Sequence, residues 1–381
     1  YFPEDIDLPY TGPTWHISTI GSDSNDGSEE NPFATIQHGI DASSDGDTVL
    51  VDSGTFEETI TIQGNVKLLS QNGPENTIIQ NSGGLYLHGN GAYISGFTIK
   101  NCNSSGSSLS SRGGAVTFWY SNATLENLII EENGALSNSG SALHIVHASP
   151  SINNCTIRYN YSSNEGGGVV IIKEYDSGDA ASHPEFNSCL IYNNYGERTI
   201  NAPFASNPGE MTFNNCSIYS NSGYAIYSMM YKVNIERTII DDNIYLSGNY
   251  DAFISNPNFI SINSYVNNIT AWDVCTFNIV NSIIDAITIA NNQTDIYYSY
   301  SYIGNPNSFH YFDEGGNITE DPLLNEDYTL QLASPCIDAG DPDLDDDGED
   351  YTTDTDDQDP DGTRMDIGVY YLDQRELDYN L

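Results

Sequence analysis

Three stretches, Ile152-Asn-Asn-Cys-Thr-Ile157, Phe186-Asn-Ser-Cys-Leu-Ile191 and Phe213-Asn-Asn-Cys-Ser-Ile218, decide the fold. Each sets an apolar residue, two polar ones, a small one, and a closing Ile two positions on. The phrase recurs more loosely at Ile94–Ile99, Leu125–Ile130, Ile235–Ile240 and Ile279–Ile284. From one first apolar residue to the next, the spacings are 31, 27, 34, 27, 22 and 44, the last being twice 22. Short β-type runs at that spacing, with no helical period, predict one coil of a β-solenoid per repeat. A single coil cannot bury its own apolar side, so it must stack on its neighbours.

Stacking sets like residues above one another. Asn133, Asn160, Asn194, Asn221 and Asn243 follow the repeat. Asn suits such a place because it tolerates left-handed backbone and can bond a stacked neighbour. A second strand per coil opens at glycine: Gly113–Phe118, Gly140–Ile145, Gly166–Ile171 and Gly223–Tyr227. Aligned on those glycines, Val116, Leu143, Val169 and Ile226 point inward, as do Phe118, Ile145 and Ile171. One outward row then reads Trp119, Val146, Ile172, Met229. Four stacked apolar residues on an outer face predict a cover. The apolar segment Tyr1 to Trp15, the loop 176–185 or another copy of the chain would serve.

The remaining phrases carry a resemblance. Gly21–Ser28 is followed by Asn31–Gln37, then by Asp45–Val51 and Gly54–Glu57. Ser334–Gly340 and Asp366–Tyr370 close the chain. With the repeats, these resemble the pectate-lyase-like superfamily of right-handed parallel β-helices, and within it secreted bacterial members of uncharacterised role. The resemblance covers roughly residues 14–372. It implies an all-β right-handed parallel β-helix over 14–335, after an extension at 1–13. A short capping helix falls around 31–43, where Phe33, Ile36, Gln37 and Ile40 have helical spacing after Asn31-Pro32. An acidic segment fills 336–381. The first residue is Tyr1, not Met, so an upstream piece is expected to have been removed.

Charge narrows the partners. Asp and Glu number 54 against 10 Lys and Arg, for a formal net charge of -44. Nucleic acid and anionic membrane surfaces are excluded as partners, since both need clustered cations. No apolar run reaches the ~20 residues of a membrane helix. A secreted, extracellular protein that contacts polysaccharide, or other copies of itself, fits. Of the six cysteines, Cys155, Cys189 and Cys216 share one repeat position. They read as a ladder of small buried side chains rather than disulfides, and no Cys-x-x-Cys pair suggests zinc.

The sharpest chemical pattern is Asp343-Leu-Asp345-Asp-Asp347-Gly348. Oxygens at positions one, three and five with Gly at six can wrap Ca²⁺, and position twelve is Asp354. A second calcium on Asp359 and Asp361 is a weaker expectation. Asp23-Ser-Asn-Asp-Gly27 is a shorter run of oxygen donors, weaker still.

Catalysis is harder to find. A polysaccharide lyase wants a Lys or Arg base beside calcium; the candidates are Arg158, Lys173, Arg198, Lys232 and Arg237, the last close in sequence to Asp241 and Asp242. A glycoside hydrolase wants paired carboxylates; Asp241, Asp242 and Asp285 follow closing Ile residues on different coils. Neither set carries the family's hydrolase signature. His144 and His147 face opposite sides of a strand and read as one surface and one turn residue. The balance favours a calcium-stabilised structural or adhesive module, with a lyase or hydrolase acting on acidic polysaccharide as the alternative.

Overall fold

A computed structural model describes residues 12–104, 114–135, 140–163, 167–173, 181–203, 209–248, 258–272, 274–290, 294–304, 310–345 and 347–375. The chain divides into two compact units. The first runs up to Lys173 and takes in Asn194–Glu197; the second holds Glu174–Asn193 and Arg198 onward. Each unit is a stack of parallel strands, so the coil expectation holds in both. The proposed cover at residues 1–11, and the part of the 176–185 loop up to residue 180, lie outside the described residues.

In the first unit, Thr48–Val51, Lys67–Ser70, Tyr93–Ser95, Thr124–Glu126 and Ser151–Asn153 pair in parallel, with Leu68, Ile94, Leu125 and Ile152 in one buried row. The opposite wall stacks Ile60–Gln63, Leu85–His88, Val116–Trp119, Gly140–Val146 and Gly168–Lys173. Every coil adds such fully buried side chains, each worth about 1.5–3 kcal/mol over exposure. The helix spans Ile36–Ala42, shorter than 31–43, because Thr35 caps it by accepting from the His38 amide. Ile36 and Ile40 are buried, which suits a helix that covers apolar coil surface. The Glu58 carboxylate accepts the Ile36 and Gln37 amides, placing an anion on the helix start.

The asparagines divide two tasks between them. Asn127, Asn154, Asn215, Asn263 and Asn281 hold the left-handed turns, with φ from 47° to 53°. Asn133 and Asn160 instead form a buried ladder. Asn133 Nδ2 donates to Asn160 Oδ1 at 2.9 Å, and Asn160 Nδ2 donates to Asn194 Oδ1 at 3.0 Å. In the second unit the place after Asn221 belongs to Asp242, not Asn243. Asp242 Oδ2 accepts both the backbone and side-chain N–H of Asn221, at 2.9 and 3.1 Å.

The outward row differs from the glycine alignment. Gly140 pairs with Gly168, not Gly166, and a bulge between Gly140 and Leu143 moves the register. Val146 therefore stacks on Trp119 and Lys173, while Ile172 joins Ile145 in the inner row. Val170 and Ile172 point inward, and Val169 and Ile171 do not. Met229 belongs to the second unit, where it pairs with Ser247.

The second unit repeats the plan with aromatic columns. Phe186 stacks on Phe213 at 4.9 Å, Tyr192 on Tyr219 at 5.2 Å, and Tyr227 on Tyr245 at 4.7 Å. Its outer face carries one apolar row, Ile239, Tyr265, Ile283 and Tyr302, in strand register. That row is covered within the chain. Leu330, Cys336 and Ile367 pack against Ile239, Tyr265 and Ile283 as one buried cluster. The acidic C-terminal segment is thus a strap folded onto the strands. Two hydrogen bonds to Asn281 fix it: the Gly368 amide donates to its backbone O, and the Asp341 amide to its side-chain Oδ1. All six cysteines are buried thiols.

Candidate metal centre

The strap gathers carboxylates in two places. In the first, Asp343, Asp345 and Asp347 bring one oxygen each within 4.8 Å of one another. Gly348, at φ 91°, lets its amide turn back onto both Asp343 oxygens at 3.2 and 3.4 Å. Asp354 stands apart from this trio and bonds the Asp356 amide. Asp357, one of the acids that follow the loop in sequence, joins it here. It is buried, one oxygen accepts the Leu344 amide, and the other has no hydrogen-bond partner. Burial raises its pKa, with Asp343, Asp354 and Asp345 adding repulsion.

In the second place, Asp338, Asp359 and Asp366 bring one oxygen each within 4.8 Å of one another. Asp359 and Asp366 are only 4% and 2% exposed. Three strap segments meet here. The Asp338 amide donates to Asp366 Oδ1 at 2.7 Å, and the Leu372 amide donates to Asp366 Oδ2 at 2.7 Å. Gln374 Nε2 donates to Asp338 Oδ2 at 2.8 Å. Burial pushes Asp359 up to about 7, helped by Asp361 and Asp366. Burial likewise pushes Asp366 up to about 6. Asp361 is no member of the trio. Although burial works against it, hydrogen bonds from Asp359, Thr363 and the Gln374 amide hold it down to about 2. Asp338 and Asp366 sit in the closing phrases of the sequence, but only the fold shows that they meet.

Beside this trio lies a cavity of about 320 Å³, lined by Arg237, Asn263, Asp359, Asp366, Tyr370 and Tyr371 among others. Arg237 holds a left-handed turn at φ 46°, and its side chain is 60% exposed. It meets its neighbour Glu236 at 3.9 Å. Tyr370 and Tyr371 are exposed.

Comparison with solved structures agrees with this architecture. The pectate lyase Pel9A matches over 95% of this chain and 97% of its own, at a TM-score of 0.60 and 12% identity. The fold is the right-handed parallel β-helix of that pectate lyase. A rhamnogalacturonan lyase also matches, over 97% of this chain and 99% of its own, at a TM-score of 0.44 and 16% identity. No family model matches the sequence. The uncharacterized protein YwoF of Bacillus subtilis (strain 168) is 36% identical over 53 residues. That match spans 14% of this chain and 11% of YwoF. Among the described residues, no helix is long and apolar enough to cross a membrane.

On this β-helix the four candidate catalytic residues do not form one site. Asp242 is occupied by Asn221. Asp241 bonds Tyr328. Asp285 Oδ2 accepts from the Tyr265 hydroxyl at 2.6 Å, and burial, with Asp241 and Asp321 nearby, raises its pKa. Tyr265 and Tyr328 stack at 4.6 Å, so Asp241 and Asp285 serve tyrosines under the strap. Lys173 is half-buried, and burial pushes its ammonium down to about 8. It lies in the first unit, whereas both carboxylate trios belong to the second. In the N-terminal run, Asp23 accepts the Ala34 and Thr35 amides and the Thr35 hydroxyl, and Asp26 accepts from Ser28. Those carboxylates are used to build a turn.

Proposed function

We propose that this chain works outside the cell as a calcium-stabilised β-helix that contacts acidic polysaccharide through the Arg237 cavity. The arrangement of that cavity carries the reading. A guanidinium offers paired donors to a sugar carboxylate, and two exposed tyrosines offer flat apolar faces for sugar rings. In a chain of net charge -44, such a cation has value out of proportion to its number. Calcium on Asp343, Asp345 and Asp347, with Asp357 beneath, would hold the strap that builds the cavity wall. The likeness to the fold of Pel9A supports the polysaccharide partner.

A non-catalytic contact fits better than a lyase. Arg stays protonated in proteins, so Arg237 suits a clamp more than a base. The test is retardation of the full chain in gels containing polygalacturonate or alginate, with calcium and with chelator. Retardation is expected in calcium and is expected to fall in Arg237→Ala and in the Tyr370→Ala, Tyr371→Ala double variant. Equal mobility of the unaltered chain and Arg237→Ala would count against the cavity. An absorbance rise from unsaturated products, abolished in Arg237→Ala, would favour the lyase reading.

A further inference from the structure

We infer that Asp338, Asp359 and Asp366 form a second, buried calcium site, separate from the Asp343 loop. Three facts meet at one point. The carboxylates approach within 4.8 Å, two of them almost fully buried. Asp359 Oδ2 and Asp338 Oδ1 are shut away from water and accept no N–H or hydroxyl hydrogen bond, although the Asp359 side chain also meets the Asp361 carboxyl. Among the described residues, no salt bridge reaches any of the three. The cations nearest in sequence make their direct contacts with other groups: Arg375 pairs with Asp373 at 2.8 Å and feels Asp359 only at longer range, and Arg364 lies over the Tyr300 ring at 5.2 Å.

A buried carboxylate oxygen without a partner is costly, and two facing one another are costlier. Folded proteins meet that cost with a proton or with a cation. The remaining oxygens are already anchored. Asp366 is held by two backbone amides, Asp338 by Gln374, and Asp359 Oδ1 by the Asp361 amide and the Thr363 hydroxyl. The chain thereby orients all three carboxylates, as the outer partners of metal ligands do; Asp338 and Asp359 each keep an oxygen free, while Asp366 would share an oxygen already bonded to an amide. A hard divalent ion takes such oxygens. Calcium suits a dry set drawn from three separate segments, because it accepts irregular all-protein cages, whereas magnesium keeps its waters.

The ion would join the turn after Cys336, the hairpin closed by Gln358 and Arg364, and the tail beginning at Leu372. Those three pieces hold Ile367 and Cys336 over the Ile239, Tyr265 and Ile283 row. The Asp343 trio by contrast is exposed at two of its three members and makes its bonds within one loop. The buried site would thus be the tighter of the two.

Calcium counted by equilibrium dialysis on the full chain tests this. At the calcium level that saturates the unaltered chain, Asp359→Ala is expected to bind one ion fewer. Asp359→Ala combined with Asp343→Ala is expected to bind two fewer. A count lowered by Asp343→Ala but not by Asp359→Ala overturns the buried site and leaves the loop reading intact. Should Asp359→Ala fail to fold, crystals of the unaltered chain soaked in terbium decide the matter. An anomalous peak between the three carboxylates supports the site, and terbium bound elsewhere with none there overturns it.

Discussion

Both units hide part of an outer strand face, and they do so by different chemistry. In the first, the register row Thr117, His144, Ile171 is buried, with His144 at 2% exposure and neither ring nitrogen hydrogen-bonded. Burial drives that imidazole down to about 3, with Lys173 adding repulsion, so it stays neutral. In the second, the row Ile239, Tyr265, Ile283 lies under a strap whose own carboxylates resist ionisation. One face is sealed at the cost of a neutral polar ring, the other at the cost of crowded anions. Burial opposes charge in both, yet the two seals respond to pH with opposite sign.

The largest effect should come from breaking the strap seal. Ile367 is fully buried in the covering cluster, and Ile367→Ala should cost about 2–5 kcal/mol of local stability. Limited proteolysis should then cut within 341–361 while the first unit stays intact. Unchanged cutting would mean that the strap is held by its backbone bonds alone.

Next comes the ladder, where the units again differ. Asn160 bridges two asparagines, so Asn160→Ala strands buried amides and should cost about 1–3 kcal/mol per group left unpaired. Asp242→Asn makes the opposite change, since an amide oxygen can accept the same two bonds from Asn221 without a buried charge. It should leave stability unchanged or raise it by up to about 1 kcal/mol in urea unfolding. A marked loss would show that the carboxylate itself is required.

The pH comparison is subtler. His144 has a lowered pKa, so its contribution is present above the unfolded value near 6.5 and is lost as pH falls toward 3. Asp359 and Asp366 have raised pKa values. Their contribution is present below the unfolded value of 3.8 and is lost as pH rises through about 6 and 7. In chelator, the protection factors of strap amides should therefore fall as pH rises from about 4 to 7. Protection factors around Leu143–Val146 should fall as pH drops below 6.5, and His144→Leu should abolish that dependence. Matching pH trends in the two units would dissolve the contrast. The smallest effect belongs to the largely buried pair of Arg158 and Glu131 at 2.8 Å, where Glu131→Gln keeps an acceptor for the guanidinium and should cost about 1 kcal/mol.

Much of this was legible in the sequence because coils obey a local rule. The Ile and Phe rows, the buried cysteines and the β-helix itself follow from a repeated phrase. Register was not, since the bulge after Gly140 adds a residue that no glycine marks, so Ile172 was placed outside when it lies inside. His144 was read as a surface residue because strand alternation says which face a side chain takes, not whether that face is covered. The Asp343 loop could be seen because its donors alternate within one short run. The Asp338, Asp359, Asp366 trio could not, as its members are joined only by the folding of the strap. Arg237 was noticed as a rare cation beside two aspartates; the structure instead sets it beside Tyr370 and Asp366, far along the chain.

The strap also fixes an order of events. The strands bearing Ile239, Tyr265 and Ile283 are synthesised well before the segment carrying Leu330, Cys336 and Ile367 exists. A ribosome releasing this chain therefore leaves an oily stripe uncovered until translation reaches the closing phrases. The strap can dock only on strands that already exist, so the stripe must wait for its cover.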